Sequence, residues 1–161
     1  MTHFVHLTDA KLVPSVRRSG IRAGQVRSGE IRGFYCTPVS HNTFKTHQWV
    51  RELKRRGIRA IDAVQFYLPP TEEVFIGLYN GDFIKAHASE AARIFESDES
   101  EMGLEVVVPR SISRREIHRI YSPNQVSGWR FHPSAKGSKP FCGCRYCNRG
   151  EINAYRFITE E

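Results

Sequence analysis

The chain has 161 residues and a mass of 18.5 kDa, the size of one domain or of one domain with a small appendage. Apolar residues make up 40%, charged residues 25% and aromatics 11%. No apolar run approaches the ~18–20 residues of a membrane helix, and the aromatics are spread along the chain, which excludes a helical membrane protein, a long disordered chain and a disulfide miniprotein. The net charge of +7 is unevenly placed: residues 11–59 hold 12 basic and 2 acidic side chains, residues 60–105 hold 2 and 10, and residues 106–161 hold 10 and 4. Two basic blocks in a small protein predict a surface that attracts polyanions, so nucleic acid is the expected partner and a membrane is not.

In chain order, residues 3–7 (HFVHL) predict a short strand. Residues 9–19 predict a helix with Leu12, Val13 and Val16 as its apolar stripe, Thr8 or Asp9 as cap, Pro14 in the first turn and Gly20 just past its end. Residues 22–33, polar and with three glycines, read as a loop. Residues 33–39 (GFYCTPV) read as a strand. Residues 42–56 predict a helix capped by Asn42 and closed by Gly57, with Phe44, Trp49, Val50 and Leu53 on its apolar side. Residues 59–68 are the clearest strand, ended by Pro69 and Pro70, and 73–79 form another. An Ala-rich helix is predicted over 86–97, a strand over 104–108 and a capping box with a short helical turn at Ser113 and Glu116. Residues 117–121 resume an extended pattern, and 152–158 give a last strand. Short strands mixed irregularly with a few helices argue for α+β architecture.

Four cysteines occur, and three of them, Cys142, Cys144 and Cys147, fall in the run C-G-C-R-Y-C. The opening residues lack the basic end and apolar core of a secretory signal, so the expectation is a reducing, cytoplasmic location where disulfides are disfavoured. Clustered thiolates on a tight turn are then a zinc-ligand arrangement. Tetrahedral zinc needs a fourth ligand, for which Cys36 is the first candidate and His132 the alternative.

Three segments, taken together, resemble an ADP-ribosyltransferase, nearest to the DarT-type enzymes that modify DNA. The first is FVHLTDAKLVPSVRRSGI at 4–21, a strand with His-x-Thr followed by a helix and a Gly turn. The second is GFYCTPV at 33–39, similar to the strand whose aromatic residue lines the nicotinamide pocket. The third is GLEVVVPRSISRREIHRI at 103–120, similar to the strand that begins with the catalytic Glu. The resemblance implies a split, curved β-sheet with helices packed on it over residues 1–121, to which the cysteine spacing adds a Cys-rich zinc-binding extension over 122–161. It implies NAD as substrate, Glu105 as the catalytic carboxylate, and His6, Thr8 and Tyr35 as NAD-binding residues, with Phe34 in place of Tyr35 if the register shifts by one. The Cys cluster lies outside the minimal fold of that family, and the Arg-His pairs of the RNA 2′-phosphotransferase branch have no counterpart.

The implied function is NAD-dependent transfer of ADP-ribose to an acceptor, most simply nucleic acid, with a protein acceptor also open. The competing reading is a non-catalytic, zinc-containing nucleic-acid-binding module. An enzyme requires His6, Tyr35 and Glu105 in one concave pocket; a binding module leaves them scattered. Trp49 reads as core rather than as a stacking platform, and Tyr79-Asn80-Gly81 reads as a turn.

Overall fold

The structure is a computed structural model that describes residues 1–26, 29–79, 81–97 and 103–125. Among these residues the architecture is α+β: an open sheet of eight strands in which every pairing is antiparallel, with three α-helices. The strands are β1 (Thr2–Asp9), β2 (Gly24–Gln25), β3 (Arg32–Pro38), β4 (Ile61–Leu68), β5 (Glu73–Leu78), β6 (Phe83–His87), β7 (Leu104–Val108) and β8 (Ile117–Tyr121). The helices are α1 (Val13–Ser19), α2 (Thr43–Arg55) and α3 (Ala88–Ser97). Across the sheet the order is β6-β5-β7-β3-β1-β4-β8, with β2 paired to β3. None of the described helices is long and apolar enough to cross a membrane.

Local chemistry explains where the elements begin and end. Pro14 has no N–H to donate, so the α-helix starts at Val13, and Ala10–Leu12 form a 3₁₀ turn whose first donor, Lys11 N, is held by Asp9 Oδ1 at 3.0 Å. Gly20 ends α1 with φ of 81°, and a Cβ there would collide with the carbonyl of Ile112. Asn42 caps α2 by accepting from Lys45 N at 3.1 Å.

Three expected elements differ. The polar stretch after residue 22 contains strand β2, which forms a hairpin with the start of β3. The helix expected from residue 86 begins two residues later, because Phe83–His87 pair along β5 as an edge strand. Ser113 and Glu116 make their reciprocal bonds, Ser113 N to Glu116 Oε2 at 2.8 Å and Glu116 N to Ser113 O at 3.1 Å, but close a turn and not a helix. The strand expected over 152–158 lies outside the described residues.

One face of the sheet carries the core. Phe4, Phe34, Phe66, Val64, Val106 and Val108 pack there with Ala88, Ala91 and Phe95 of α3 and with Val16, Ile21 and Ile112. Each large apolar side chain removed from water stabilises by about 1.5–3 kcal/mol, and this face is the main source of stability. Helix α2 is attached differently. Its buried Lys45 donates to the carbonyl of Phe95 at 2.6 Å, anchoring the start of α2 on α3, while its C-terminal half stands over the other face of the sheet.

The sheet is nearly divided in two. Strands β1 and β4 pair along their whole length, and β3, β7 and β5 form a second continuous block. Among the described residues the β1–β3 ladder is short: Phe4 faces Pro38 and Val5 faces Thr37, and Val39 N–H donates to His3 O at 2.9 Å. Beyond Val5 the β1–β3 ladder stops, and that opening positions the site.

Candidate active site

The register places a set of side chains on the face opposite the core. Val5 faces Thr37, Tyr35 faces Val107, and Glu105 faces Gly77. Alternation along β3 and β7 then puts Thr37, Tyr35, Val107 and Glu105 on one side. Helix α2 covers them with Trp49, Glu52 and Leu53, and Arg56, in the turn just past its end, continues the same i, i+3, i+4, i+7 stripe. Between sheet and helix lies a cleft of about 540 Å³, within the range of small-molecule sites.

His6 enters this cleft at the split. Its Nδ1 lies 2.7 Å from the carbonyl oxygen of Tyr35, so the ring supplies a donor where the interrupted ladder does not. A carbonyl only accepts, so Nδ1 carries the proton and Nε2 is left as an acceptor. The ring also stacks edge-on against Phe34, with centroids 5.3 Å apart. Burial lowers the His6 pKa below its ordinary 6.5, and the Tyr35 carbonyl, which acts the other way, offsets this only in part. His6 is therefore neutral at physiological pH.

Glu105 is only 7% exposed, in a strand otherwise made of Leu and Val. A carboxylate in that position sits in low dielectric, where its field acts strongly on any charge placed near it. Gly77, directly across from it, adds no side chain to the cleft floor.

The outer wall is aromatic and cationic. Trp49 and Tyr79 have ring centroids 6.0 Å apart. Arg56 donates to the Tyr79 hydroxyl at 2.8 Å, lies over the same ring at 5.8 Å and approaches Glu52 at 3.6 Å. The Tyr79 main chain is pinned by its N–H to Gly103 O at 2.7 Å. Trp49 Nε1 is a buried donor with no hydrogen-bond partner among the described residues. A buried donor left in that state costs about 1–3 kcal/mol.

Of the residues singled out from sequence, His6, Tyr35 and Glu105 come together in the cleft, from three different strands. Phe34 points to the core, so it is Tyr35 that faces the cleft. Thr8 is buried opposite Asp62, on the core side of β1, and does not line the cleft. Cys36 sits among the core residues of β3, and burial pushes its thiol well above the ordinary range, favouring the neutral SH form. Its partners in the expected zinc set, Cys142, Cys144 and Cys147, and the alternative ligand His132, lie outside the described residues. Among the described residues no group of three or more His, Cys, Asp and Glu side chains is placed to hold a metal ion.

Sequence reasoning missed Trp49, Glu52, Arg56 and Tyr79 as cleft residues. Trp49 was expected in the core. The available signal was the 49, 52, 53, 56 spacing, which sets one apolar, one aromatic and two charged side chains along a single stripe. Compared with known protein families, with curated proteins and with solved structures, the chain matches none. What the cleft does must be argued from its own chemistry.

Proposed function

We propose that the protein is an NAD-dependent ADP-ribosyltransferase that uses this cleft to transfer ADP-ribose to nucleic acid. The observation that carries the reading is the convergence of His6, Tyr35 and Glu105 at the split between β1 and β3. The interrupted ladder supports taking the sheet as one of ADP-ribosyltransferase type, because the opening is what admits His6 to the cleft.

The cleft fits NAD on three counts. Its volume suits a dinucleotide, its walls offer the aromatic faces of Tyr35, Trp49 and Tyr79, and the orphan Trp49 N–H awaits an acceptor such as an amide carbonyl or a phosphate oxygen. NAD supplies a ribose–nicotinamide bond whose cleavage releases neutral nicotinamide and builds positive charge on the sugar. In its ionised form the buried Glu105 would stabilise that charge more than the ground state, which is the condition for lowering the barrier. The same carboxylate accepts the proton of the attacking acceptor. Tyr35 provides a face for the nicotinamide ring. His6, fixed as the Nδ1–H tautomer, offers Nε2 to a ribose hydroxyl. Arg56, oriented by Tyr79 and Glu52, places positive charge at the rim for the diphosphate.

Residues 122–161 are, in this reading, a Cys-rich extension that binds zinc through Cys142, Cys144, Cys147 and a fourth ligand. Ligation by Cys36 would require zinc to displace the proton that burial favours, a displacement that metal coordination achieves for thiols. Zinc bound that way would hold the extension against β3. Metal analysis of the protein purified without chelator, repeated on Cys36→Ser and His132→Ala, identifies the fourth ligand as the one whose loss releases zinc.

The reaction is tested by incubating the full chain with NAD labelled in the adenylate part, alone and with DNA, RNA or protein. Labelled nucleic acid and released nicotinamide are expected. Binding of nucleic acid without nicotinamide release under any of these conditions would replace the enzyme with the non-catalytic binding module.

A further inference from the structure

Two arginine-bearing segments, far apart in the sequence, meet on the core side of the fold. Ile21 and Ile112 exchange main-chain bonds, Ile21 N to Ile112 O at 2.8 Å and Ile112 N to Ile21 O at 2.9 Å, and Ala23 N donates to Ser111 Oγ at 3.0 Å. Gly20 lies so close to the Ile112 carbonyl that no side chain fits between the two backbones. Val16, Ile21 and Ile112 belong to the core. Left outside are Arg17 and Arg18 at the end of α1, Arg22 just beyond it, and Arg114 and Arg115 in the turn before β8, all exposed. Each lies within four residues of the Ile21–Ile112 bridge, and none lines the cleft.

The composition of this surface is narrow. From 15 to 22 and from 111 to 115 every exposed residue is Arg or Ser: the five arginines with Ser15, Ser19, Ser111 and Ser113. None of the five guanidinium groups forms an ion pair with a described residue. Glu116, next to Arg115 in the chain, does not answer them, because Arg110 holds it together with Glu72. A helix C-terminus favours cations, which accounts for Arg17 and Arg18 in the last turn of α1. It does not account for Arg22, Arg114 and Arg115, which lie outside that helix. Like charges gathered by a main-chain bridge, with no carboxylate to oppose them, make a field that an external polyanion satisfies.

We propose that this surface binds the sugar–phosphate backbone of double-stranded nucleic acid without reading its bases. Guanidinium forks grip phosphate oxygens two at a time and Ser hydroxyls donate to them singly, and both side-chain types serve as backbone contacts. The two stretches expose no aromatic ring on which a splayed base could stack, so they offer a single strand nothing beyond phosphate contacts. A duplex presents its phosphates at higher density with the bases already paired. An anionic membrane fits less well, because surfaces that dock on lipid bury apolar side chains among their cations, and these stretches expose none. The proposal goes beyond the reaction assigned to the cleft and stands without it, since the arginines lie on the other side of the sheet.

The test is fluorescence anisotropy of the full chain with a short labelled DNA duplex of arbitrary sequence, over a range of salt. The matching single strand and vesicles containing phosphatidylserine are measured in parallel, and nicotinamide release is assayed separately. The variants are Arg22→Ala with Arg115→Ala, and the same two positions changed to Lys, with thermal melting as the check on folding. The Ala pair is expected to make the slope of log affinity against log salt shallower by about 2 and to weaken duplex binding by about 10- to 100-fold near 0.1 M salt. The Lys pair should keep the slope and lose only part of the affinity, because a point charge replaces each fork. Nicotinamide release should be the same in every variant. Unchanged slope and affinity in the Ala pair would overturn the proposal and leave the transferase reading intact. So would a single strand that binds more tightly than the duplex through the same arginines, or vesicle binding lost in the Ala pair while duplex binding is kept. Duplex binding lost in the Ala pair, with no nicotinamide release from the wild type, would sustain this surface and remove the transferase.

Discussion

Strand β7 serves two regions that obey opposite rules. Leu104, Val106 and Val108 point into the core, where every neighbour is apolar and α3 closes the layer. Glu105, between them, points into the cleft with Tyr35 and Thr37. The core side is the arrangement folding alone would select. The cleft side places a carboxylate at 7% exposure, leaves an indole N–H unpaired and interrupts the β1–β3 ladder. The interrupted ladder and the indole N–H oppose stability, and both fall around the cavity that Glu105 lines. Costs gathered in one place mark where the chain is shaped for something other than folding.

The comparison can be broken from the core side first, where the largest effect is expected. Phe66 is fully buried, stacks on Phe4 and meets Phe34 edge-to-face. Phe66→Ala should lower the free energy of unfolding in urea by about 3–5 kcal/mol. A loss under about 1 kcal/mol would mean that this face is not the load it is taken to be.

Glu105→Gln attacks the other side. It keeps shape and removes charge, so NAD cleavage should fall by about 10²–10³ with little change in NAD affinity, because the charge acts on the transition state. Its melting temperature should stay close to that of the wild type, since the amide keeps the shape and can still accept hydrogen bonds. Equal turnover in the variant would remove Glu105 from the mechanism, and a large loss of stability would reassign it to the fold.

His6 joins the two regions, and its effect should be smaller. His6→Ala removes one hydrogen bond to substrate and one to Tyr35, which together should weaken NAD binding by about 10-fold. The pH dependence follows from the lowered pKa. The folded protein prefers neutral His6, so its contribution is fully present above the unfolded value of 6.5 and is lost as pH falls through the lower folded value. NAD affinity measured by titration calorimetry should therefore be flat above pH 7 and drop in acid, and His6→Ala should abolish the drop.

Much of the fold was legible in the sequence, and the limits have physical causes. Strands β3, β4 and β7 announce themselves by apolar runs bounded by Pro, and His6, Tyr35 and Glu105 were found by a resemblance spread over three segments. Strand β6 was hidden because FIKAH runs directly into an Ala-rich helix, and only its pairing with β5 separates the two. Strand β2 is two residues long and owes its existence to β3. Trp49 was read as core because an aromatic on an amphipathic helix usually is, and no local pattern says that the face it shares with Arg56 covers a cavity. Tyr79 was read as a turn residue. It reaches the cleft because β5 lies beside β7, a neighbourhood set by sheet order and not by local sequence.

The smallest effect concerns a polar cluster that belongs to neither face. Arg110 bridges Glu72, at the entry to β5, and Glu116, just before β8, with Nη2 at 2.9 Å from Glu72 Oε2 and 2.7 Å from Glu116 Oε1. Burial by itself would raise the Glu116 pKa, but the bonds from Arg110 and Ser113 together outweigh it and hold the carboxyl below its ordinary 4.5. A depressed carboxyl stabilises the fold above the unfolded pKa and loses that contribution as pH falls through the folded value, so the loss should set in below about pH 4.5. The groups are partly open to water, with side chains 39% and 31% exposed, and such pairs are worth about 1 kcal/mol or less. Glu116→Gln should thus lower the melting temperature by a few degrees at pH 7 and by progressively less in acid, as the pH falls through the lowered folded value and the wild type loses the charge. An equal loss at pH 7 and in acid would show that Glu116 acts through its turn with Ser113 and not through Arg110. The pair would then be a local closure of the β7–β8 corner, and the tie between that corner and β5 would rest on Glu72 alone.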